Sequence, residues 1–135
     1  MALPFPEQLT AEAAHYFEAA AQGRLELQRC AACGKVWFYP RPACVRCGAE
    51  RYQWFAASGR GRVHSHSVVH RAPSPAFREH VPYVVALIDL DEGPRMMANI
   101  VGDDAPKIAI GDAVELAFED RGEGRKLPQF RRARG

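Results

Sequence analysis

The sequence of 135 residues has no apolar run that approaches the roughly 20 residues of a membrane-spanning helix. Its first ten residues contain no lysine or arginine and no long apolar stretch, which is unlike a secretory signal. The 18 basic and 16 acidic side chains leave a formal charge of +2, so no global electrostatic field calls for a membrane or nucleic-acid partner. These absences predict a cytoplasmic protein.

The common catalytic signatures are also missing. The chain has no Gly-x-Ser-x-Gly nucleophile elbow, no glycine-rich phosphate loop and no cysteine outside one short stretch. Hydrophobic residues make up 47% and charged residues 25%, which is the composition of a globular protein. The sequence therefore predicts a folded protein, one ordinary domain or two very small ones, without enzymatic activity of its own.

All four cysteines fall in one stretch with the spacing Cys-x2-Cys-x10-Cys-x2-Cys. They are Cys30, Cys33, Cys44 and Cys47. Two such pairs can present four thiolates to one tetrahedral zinc ion, and a glycine after each pair, Gly34 or Gly48, permits the tight turn around the sulfur. Because four protein ligands close the site, we expect one structural zinc ion, with iron in a rubredoxin-like site as the alternative. Disulfides are disfavoured because the chain carries no secretory signal.

A helix is predicted near the N-terminus. Thr10 is a favourable N-cap, Glu12 falls in the first turn and Gly23 fits the position after the last turn, so the helix should cover residues 11–23. Its narrow apolar face consists of Ala13, Tyr16, Phe17, Ala20 and Ala21. This face favours packing against the chain's own domain, and docking to a partner is the alternative.

Three short alternating segments around the cysteines predict a zinc ribbon. They are residues 25–29, 36–39 and 51–55. The core between such strands is too small to fold without a metal. The ribbon is unusually rich in aromatic residues, so we expect most of them to pack it against its neighbour, with an exposed stacking surface as the alternative.

From residue 58 onward the pattern is all-β. Five alternating segments are separated by glycine-rich turns, at residues 58–71, 82–90, 95–101, 113–119 and 127–131. This pattern predicts a small closed barrel of the oligonucleotide/oligosaccharide-binding (OB) type. The expected fold class is mainly β, with an N-terminal helical segment at 1–24, a rubredoxin-like zinc ribbon at 25–56 and a five-stranded OB-fold barrel at 57–135 that ends in a basic C-terminal tail.

Three histidines, His64, His66 and His70, alternate along the first barrel segment and are expected to share one face. No acidic residue is interleaved with them in the sequence. The pattern therefore favours a solvent-facing strand surface over a metal or acid–base cluster.

The order and spacing of these motifs resemble the DUF35 family of zinc-ribbon plus OB-fold proteins associated with acyl-CoA. The resemblance rests on GRLELQRC, CAACGKVWFYPRPACVRCGAE, Trp54, SGRGRVHSHSVVH, VPYVVALIDLDEGPRMMANIVG, IGDAVELAFE and LPQFR. It implies a non-catalytic partner subunit of thiolase-fold enzymes, thiolases or aldolases, or a place beside hydratase-fold subunits in lipid or steroid side-chain degradation. Such a subunit scaffolds the complex and helps to bind or pass coenzyme A or acyl-CoA.

Two sets of residues become candidates under that resemblance. Coenzyme A carries several negative charges that basic side chains match, and the candidates beside barrel turns are Arg71, Arg78 and Lys126. Aromatic contact area for a partner is expected at the ribbon–barrel junction. The residues that would supply it are Trp37, Phe38, Tyr39 and Trp54.

The rival interpretation is a single-stranded nucleic-acid-binding protein. Zinc ribbons and OB folds both occur in such proteins, and residues 121–135 hold six lysine or arginine residues. The overall charge near zero argues against this interpretation.

Overall fold

A computed structural model describes residues 3–133. Helix α1 covers Ala11–Ala21 and is followed by eight strands. The strands are β1 (Glu26–Cys30), β2 (Val36–Trp37), β3 (Tyr52–Ala56), β4 (Arg60–Val69), β5 (Tyr83–Leu90), β6 (Arg95–Ile100), β7 (Ala113–Asp120) and β8 (Lys126–Arg132). Among residues 3–133, no helix has the length and apolar character needed to cross a membrane.

Helix α1 begins and ends where its capping residues predict. The hydroxyl of Thr10 accepts a hydrogen bond from the N–H of Ala13 at 3.1 Å. At the other end, the N–H of Gly23 donates to the carbonyl of Ala20 at 2.9 Å. Gly23 has a φ of +85°, a left-handed conformation that stops the helix and that glycine adopts without a steric penalty.

The buried face of α1 packs against the chain's own core, as expected. Tyr16, Ala19 and Ala20 are buried. Ala19 is not among the predicted face residues, whereas the predicted Ala13 and Ala21 are only half-buried. The ring of Tyr16 meets the ring of Phe38 edge-on, with 5.7 Å between centroids. The buried part of the helix's apolar face is thus used within this chain, whereas Phe17, like Ala13 and Ala21, is only half-buried.

The three ribbon strands form one antiparallel sheet in the order β2-β1-β3. Strand β1 pairs with β3 along its full length, from Glu26 opposite Ala56 to Cys30 opposite Tyr52. Strand β2 is only two residues long, shorter than the predicted 36–39, because the chain turns away before Pro40, which has no N–H to donate. The metal-binding segment is therefore attached to a three-stranded sheet whose central strand is β1.

Strands β4 to β8 close into a barrel in the order β4-β5-β6-β8-β7, and β7 pairs back onto β4. The neighbours are antiparallel except β6 and β8, which run parallel where Ile100 lies opposite Phe130. Strand β5 buries every second residue, as a half-buried strand should. The predicted mainly β fold with a five-stranded OB barrel is confirmed.

Helix, ribbon and barrel share one hydrophobic core. Tyr16 of the helix and Leu25 and Leu27 of the ribbon belong to the same buried cluster as Ile88 and Phe130 of the barrel. Any change that unfolds the ribbon strands therefore also exposes apolar surface of the barrel.

The basic residues near the C-terminus form strand β8. The prediction of a basic C-terminal tail is therefore wrong for the residues that the structure describes. Arg131 donates to the carboxylate of Glu115 at 2.9 Å. Arg132 lies 3.6 Å from the carboxylate of Asp104 and 3.8 Å from that of Asp112. Residues 134–135 lie outside the described residues. Since acidic side chains already offset both arginines, the main charge argument for a nucleic-acid partner is removed.

The three histidines do not share a face. Strand β4 carries a bulge at His64, where the register with β5 shifts, and such a bulge breaks the alternation of side chains. His66 lies opposite the buried Ala86 but is itself exposed to solvent, whereas His64 approaches Asp89 on the outer face at 3.4 Å. His70 follows the end of β4. The sequence could not reveal Asp89 as a neighbour because it lies on another strand.

Candidate metal centre and apolar groove

Each Cys-x-x-Cys pair forms a knuckle with the same backbone hydrogen bond. The N–H of Gly34 donates to the carbonyl of Cys30 at 3.0 Å, and the N–H of Gly48 donates to the carbonyl of Cys44 at 3.0 Å. The two glycines have φ values of +78° and +76°, a conformation that a residue with a Cβ rarely adopts. The repeated Cys-x-x-Cys-Gly sequence therefore folds into two knuckles with the same backbone structure.

Backbone N–H groups point at the first sulfur of each knuckle. The N–H groups of Ala32 and Cys33 donate to Cys30 Sγ at 3.3 and 3.4 Å. The second knuckle repeats this pattern around Cys44 Sγ at 3.3 and 3.5 Å. Such bonds favour the charged thiolate, which is the form that ligates a metal.

The four sulfurs come together at one point. All of them lie within 4.8 Å of one another, and Cys30 to Cys47 and Cys33 to Cys44 are each separated by 3.6 Å. Thiolates placed about 2.3 Å from a central zinc ion are about 3.8 Å apart along a tetrahedral edge. The observed separations fit that edge and far exceed the about 2.05 Å of a disulfide bond. The four cysteines are thus positioned to bind one metal ion.

The ionisation of the thiols also calls for a cation. Burial raises the pKa of Cys44, but N–H bonds from Cys47 and Arg46 outweigh burial and lower it to about 6. The pKa of Cys30 is likewise lowered, chiefly by the N–H of Cys33. For Cys47 the N–H of Ala49 lowers the pKa, yet the neighbouring sulfurs raise it to about 11. Four thiolates this close repel one another, and a divalent metal ion supplies the charge that lets all four ionise.

Little else holds the metal end of the ribbon together. Cys30 and Cys44 form a small buried cluster with Trp37, against which Tyr52 packs. The other two cysteines are exposed to solvent. A cluster this small cannot offset the entropy of ordering the loops around it without the metal.

Gln28 is a structural residue that the sequence did not single out. Its side chain is completely buried, and its Oε1 accepts from the indole N–H of Trp37 at 2.7 Å and from the backbone N–H of Arg41 at 2.9 Å. Its amide nitrogen donates to the carbonyl of Arg41 at 2.7 Å. Gln28 thereby ties β1 to the segment that crosses between the knuckles. The only sequence signal is the alternation that places Gln28 and Cys30 on one face of β1.

The aromatic candidates for a partner interface divide into two groups. Trp37 is 4% exposed, with its ring against Tyr52, and Trp54 stacks on His15 with 4.2 Å between centroids. These two rings are used inside the chain, as expected for aromatic residues that pack the ribbon. Phe38 is half-buried, whereas Tyr39 is 54% exposed. Of the four, Tyr39 has the most surface to offer a partner or a base.

An apolar groove of about 610 Å³ lies between the helix, the segment after β2 and the barrel. Phe17, Tyr39, Phe77, Tyr83, Met97 and Leu127 are among its lining residues. Two amide side chains also line it, and they are bonded to each other: Gln129 donates to Asn99 Oδ1 at 3.0 Å and accepts from the N–H of Asn99 at 2.7 Å.

None of the three candidate residues for coenzyme A lines this groove, but two of them adjoin lining residues in the sequence. Arg78 and Lys126 are the chain neighbours of Phe77 and Leu127, which line the groove. Arg71 is exposed near the start of the same loop but has no such neighbour. Within residues 3–133 none of the three forms an ion pair. Their charges are therefore available to an anion.

Family models match two consecutive parts of the chain. Residues 17–53 match the ChsH2 rubredoxin-like zinc ribbon domain, and residues 54–119 match the ChsH2 C-terminal OB-fold domain. The two matches meet at Trp54, close to where β3 leads into the barrel.

Curated relatives agree with these matches. A DUF35 domain-containing scaffold protein of Methanothermobacter thermautotrophicus is 41% identical over 67% of this chain and 68% of its own length. A probable enoyl-CoA hydratase alpha subunit of Thermomonospora curvata is 45% identical over 89% of this chain. A 3-oxo-4,17-pregnadiene-20-carboxyl-CoA hydratase alpha subunit of Mycobacterium tuberculosis is 35% identical over 81% of this chain. The matched region is 37% and 34% of the length of these two hydratase subunits.

Solved structures give the same picture. A chain of the Ltp2-ChsH2(DUF35) aldolase superposes with a TM-score of 0.83 at 42% identity, covering 94% of this chain and 98% of that one. A DUF35 protein of unknown function from Sulfolobus solfataricus has a TM-score of 0.64 at 13% identity, with 91% and 86% covered, which shows the fold alone. The resemblance predicted from the sequence is confirmed, and the chain belongs to the DUF35 family, with the zinc ribbon and OB fold of ChsH2.

Proposed function

We propose that this chain is a non-catalytic partner subunit of a thiolase-fold enzyme, a thiolase or an aldolase, that acts on acyl-CoA. The observation that carries the proposal is the 42% identity over 98% of a chain in the Ltp2-ChsH2(DUF35) aldolase. That chain is named together with Ltp2 in one aldolase. The description of the archaeal relatives as scaffold proteins supports the same role.

The described side chains support a role without chemistry of its own. A site with four cysteine ligands leaves no open position for a substrate. The described residues contain two histidine–carboxylate pairs, His15–Glu26 at 2.7 Å and His64–Asp89 at 3.4 Å. An arginine also donates to each carboxylate, Arg24 to Glu26 at 2.9 Å and Arg95 to Asp89 at 2.6 Å. This hydrogen bond to Arg95 holds the pKa of Asp89 below its usual range. Asp89 is therefore a poor base, and it lies on an exposed strand face.

In this role the metal is a structural zinc ion. Cys30, Cys33, Cys44 and Cys47 would hold it, and the match to a zinc ribbon family favours zinc over iron. The ion supplies positive charge and cross-links the two knuckles. It thereby fixes the segment from Lys35 to Ala43 that carries Tyr39.

The proposed complex is tested by co-expression with a thiolase-fold enzyme, sought first among the genes that neighbour the one for this chain. We expect the two proteins to elute together in size-exclusion chromatography and the enzyme to lose solubility or activity without its partner. This chain alone should show no thiolytic or hydratase turnover, since no nucleophile and base are placed together among residues 3–133. Separate elution of the two proteins, with an enzyme fully active alone, would contradict the proposal.

We also propose that the chain helps to bind the acyl-CoA of its partner. Arg78 and Lys126 directly follow or precede Phe77 and Leu127, which line the groove, and are unpaired within residues 3–133. Basic side chains match the phosphates of coenzyme A. In the assembled complex, Arg78→Ala with Lys126→Ala is expected to raise the KM for acyl-CoA about tenfold with kcat unchanged, as for uniform binding. The exposed pair Arg60→Ala with Lys107→Ala is the control. An unchanged KM would exclude direct CoA contact by these residues.

A further inference from the structure

One surface of the chain combines exposed apolar side chains with unpaired positive charge. The groove of about 610 Å³ adjoins a second depression of about 230 Å³, and Phe38 and Tyr39 line both. Val45 of the second knuckle and Pro94 of the β5–β6 turn line the second depression. We call the joined surface of these two depressions the Tyr39 face.

Exposed apolar side chains are concentrated on this face. Tyr39, Val45 and Met97 are 54%, 45% and 57% exposed. Among residues 3–133 only two other large apolar side chains are comparably exposed, Leu9 and Ile110. Single exposed apolar residues are ordinary, but a contiguous group marks an interaction surface.

The barrel contributes its outer side to the face. In the register of β5 and β6, Val85 lies opposite Asn99 and Leu87 lies opposite Met97, all on the side away from the barrel core. An antiparallel strand with one side in water normally places polar residues on that side. Val85, Met97 and Asn99 line the groove. Valine and methionine on such a side indicate a surface that another protein covers.

The charge around the face has one sign. Lys35, Arg41 and Arg95 line the second depression, and no acidic side chain among the described residues lines either depression. Arg95 is offset by Asp89, but Lys35 and Arg41 form no ion pair within residues 3–133. A complementary surface would therefore carry carboxylates around an apolar centre.

A protein surface fits this face better than a small ligand does. Pockets for small molecules offer a few unpaired polar groups that orient the ligand. In the groove the amides of Asn99 and Gln129 are paired with each other, and Asn99 also donates to the carbonyl of Val84 at 3.0 Å. The unpaired Lys35 and Arg41 lie outside the groove, in the second depression. Tyrosine, phenylalanine, methionine and arginine, which make up much of the lining, are the residues enriched at protein interfaces.

We propose that the thiolase-fold partner docks on the Tyr39 face through an apolar segment flanked by aspartate or glutamate. This inference rests on the proposed function and adds the docking surface and the chemistry of the segment that fits it. The proposed docking surface retains Phe38 and Tyr39, two of the four interface residues expected from the sequence. Val45, Met97 and Arg41 take the place of the other two, the tryptophans.

The test compares variants on the face with matched variants elsewhere. Met97→Asp puts a charge into the apolar centre and Arg41→Glu reverses the rim charge. Ile110→Asp and Arg60→Glu make the same changes at exposed positions that do not line the face. Calorimetry with the purified enzyme is expected to show at least 100-fold weaker binding for Met97→Asp and about tenfold weaker binding for Arg41→Glu. Both controls should bind within twofold of the wild type, and all four variants should keep the wild-type melting temperature within a few degrees.

The outcomes separate the docking surface from the proposed function. If the wild-type chain binds the enzyme and Met97→Asp and Arg41→Glu bind equally well, the Tyr39 face is not the docking surface, although the partner role stands. If Met97→Asp leaves the complex intact but raises the KM for acyl-CoA, the groove is a ligand site and the inference is wrong. If the wild-type chain binds no thiolase-fold enzyme, both proposals fail.

Discussion

Replacing Cys44 by serine is expected to abolish metal binding and to unfold the ribbon. Apparent zinc binding in such modules is worth about 10 kcal/mol or more, and this binding energy is also folding energy. Serine does not ionise near neutral pH, so the second knuckle would lose its buried anionic ligand. Because Leu25 and Leu27 belong to the core that the barrel shares, the loss should extend into the barrel and lower its stability too.

The measurements are metal content by elemental analysis and amide dispersion by NMR. The wild type should contain about one zinc ion per chain, and Cys44→Ser none, with collapsed ribbon signals. Cys33→Ser removes a metal ligand without removing a buried side chain, since Cys33 is exposed whereas Cys44 is buried. It therefore separates the effect of losing a ligand from the effect of losing buried volume. Ala32→Ser, an exposed neighbour in the first knuckle, is the control and should keep the metal. A well-folded wild-type protein without any metal would end this interpretation.

Local chemistry in the sequence was enough to predict most of the fold. The N-cap at Thr10, the stop at Gly23 and the two glycines after the cysteine pairs each act within a few residues, and each has the predicted role. The four metal ligands were predictable for the same reason, because their spacing fixes the two knuckles. Alternation also located all five barrel strands.

The features that sequence reasoning missed depend on contacts between distant residues. The bulge at His64 is a shift of one residue, and it moved His64 to Asp89 instead of aligning it with His66. The sequence predicts a solvated tail for the C-terminal arginines. Their pairing with Glu115 and Asp104 could not be predicted, because these residues come together only when the barrel closes. No periodicity encodes either effect, since both are set by the register of neighbouring strands.

The metal and the Tyr39 face are connected through the segment that crosses between the knuckles. Tyr39 and Arg41 lie on this segment, which ends at Cys44. Gln28 holds it at its middle, and a metal ion bound by the four cysteines would hold its far end. We therefore expect the ribbon to act as the rigid support of the docking surface, so that loss of either anchor weakens partner binding as well as stability.

Replacing Gln28 by leucine is expected to lower the free energy of unfolding by about 3 kcal/mol, because buried groups left without a partner cost about 1–3 kcal/mol each. The indole N–H of Trp37 would lose its acceptor inside the protein, and the N–H and carbonyl of Arg41 would lose theirs in a half-buried position. The melting temperature should fall by roughly 10 °C, at about 3 °C per kcal/mol for a domain of this size. The zinc content should stay unchanged, which distinguishes this variant from Cys44→Ser.

Gln53→Leu is the matched control for Gln28→Leu, because Gln53 is exposed on β3 and the same substitution there should change stability by less than about 0.5 kcal/mol. A second comparison isolates the hydrogen bond to the indole. Phenylalanine at position 37 has no N–H, so Gln28→Leu should cost less in a Trp37→Phe background than in the wild type. Chemical denaturation of the four proteins in this cycle measures the difference as a coupling energy. If Gln28→Leu is as stable as the wild type, or costs the same in both backgrounds, the buried amide does not anchor the crossing segment through Trp37.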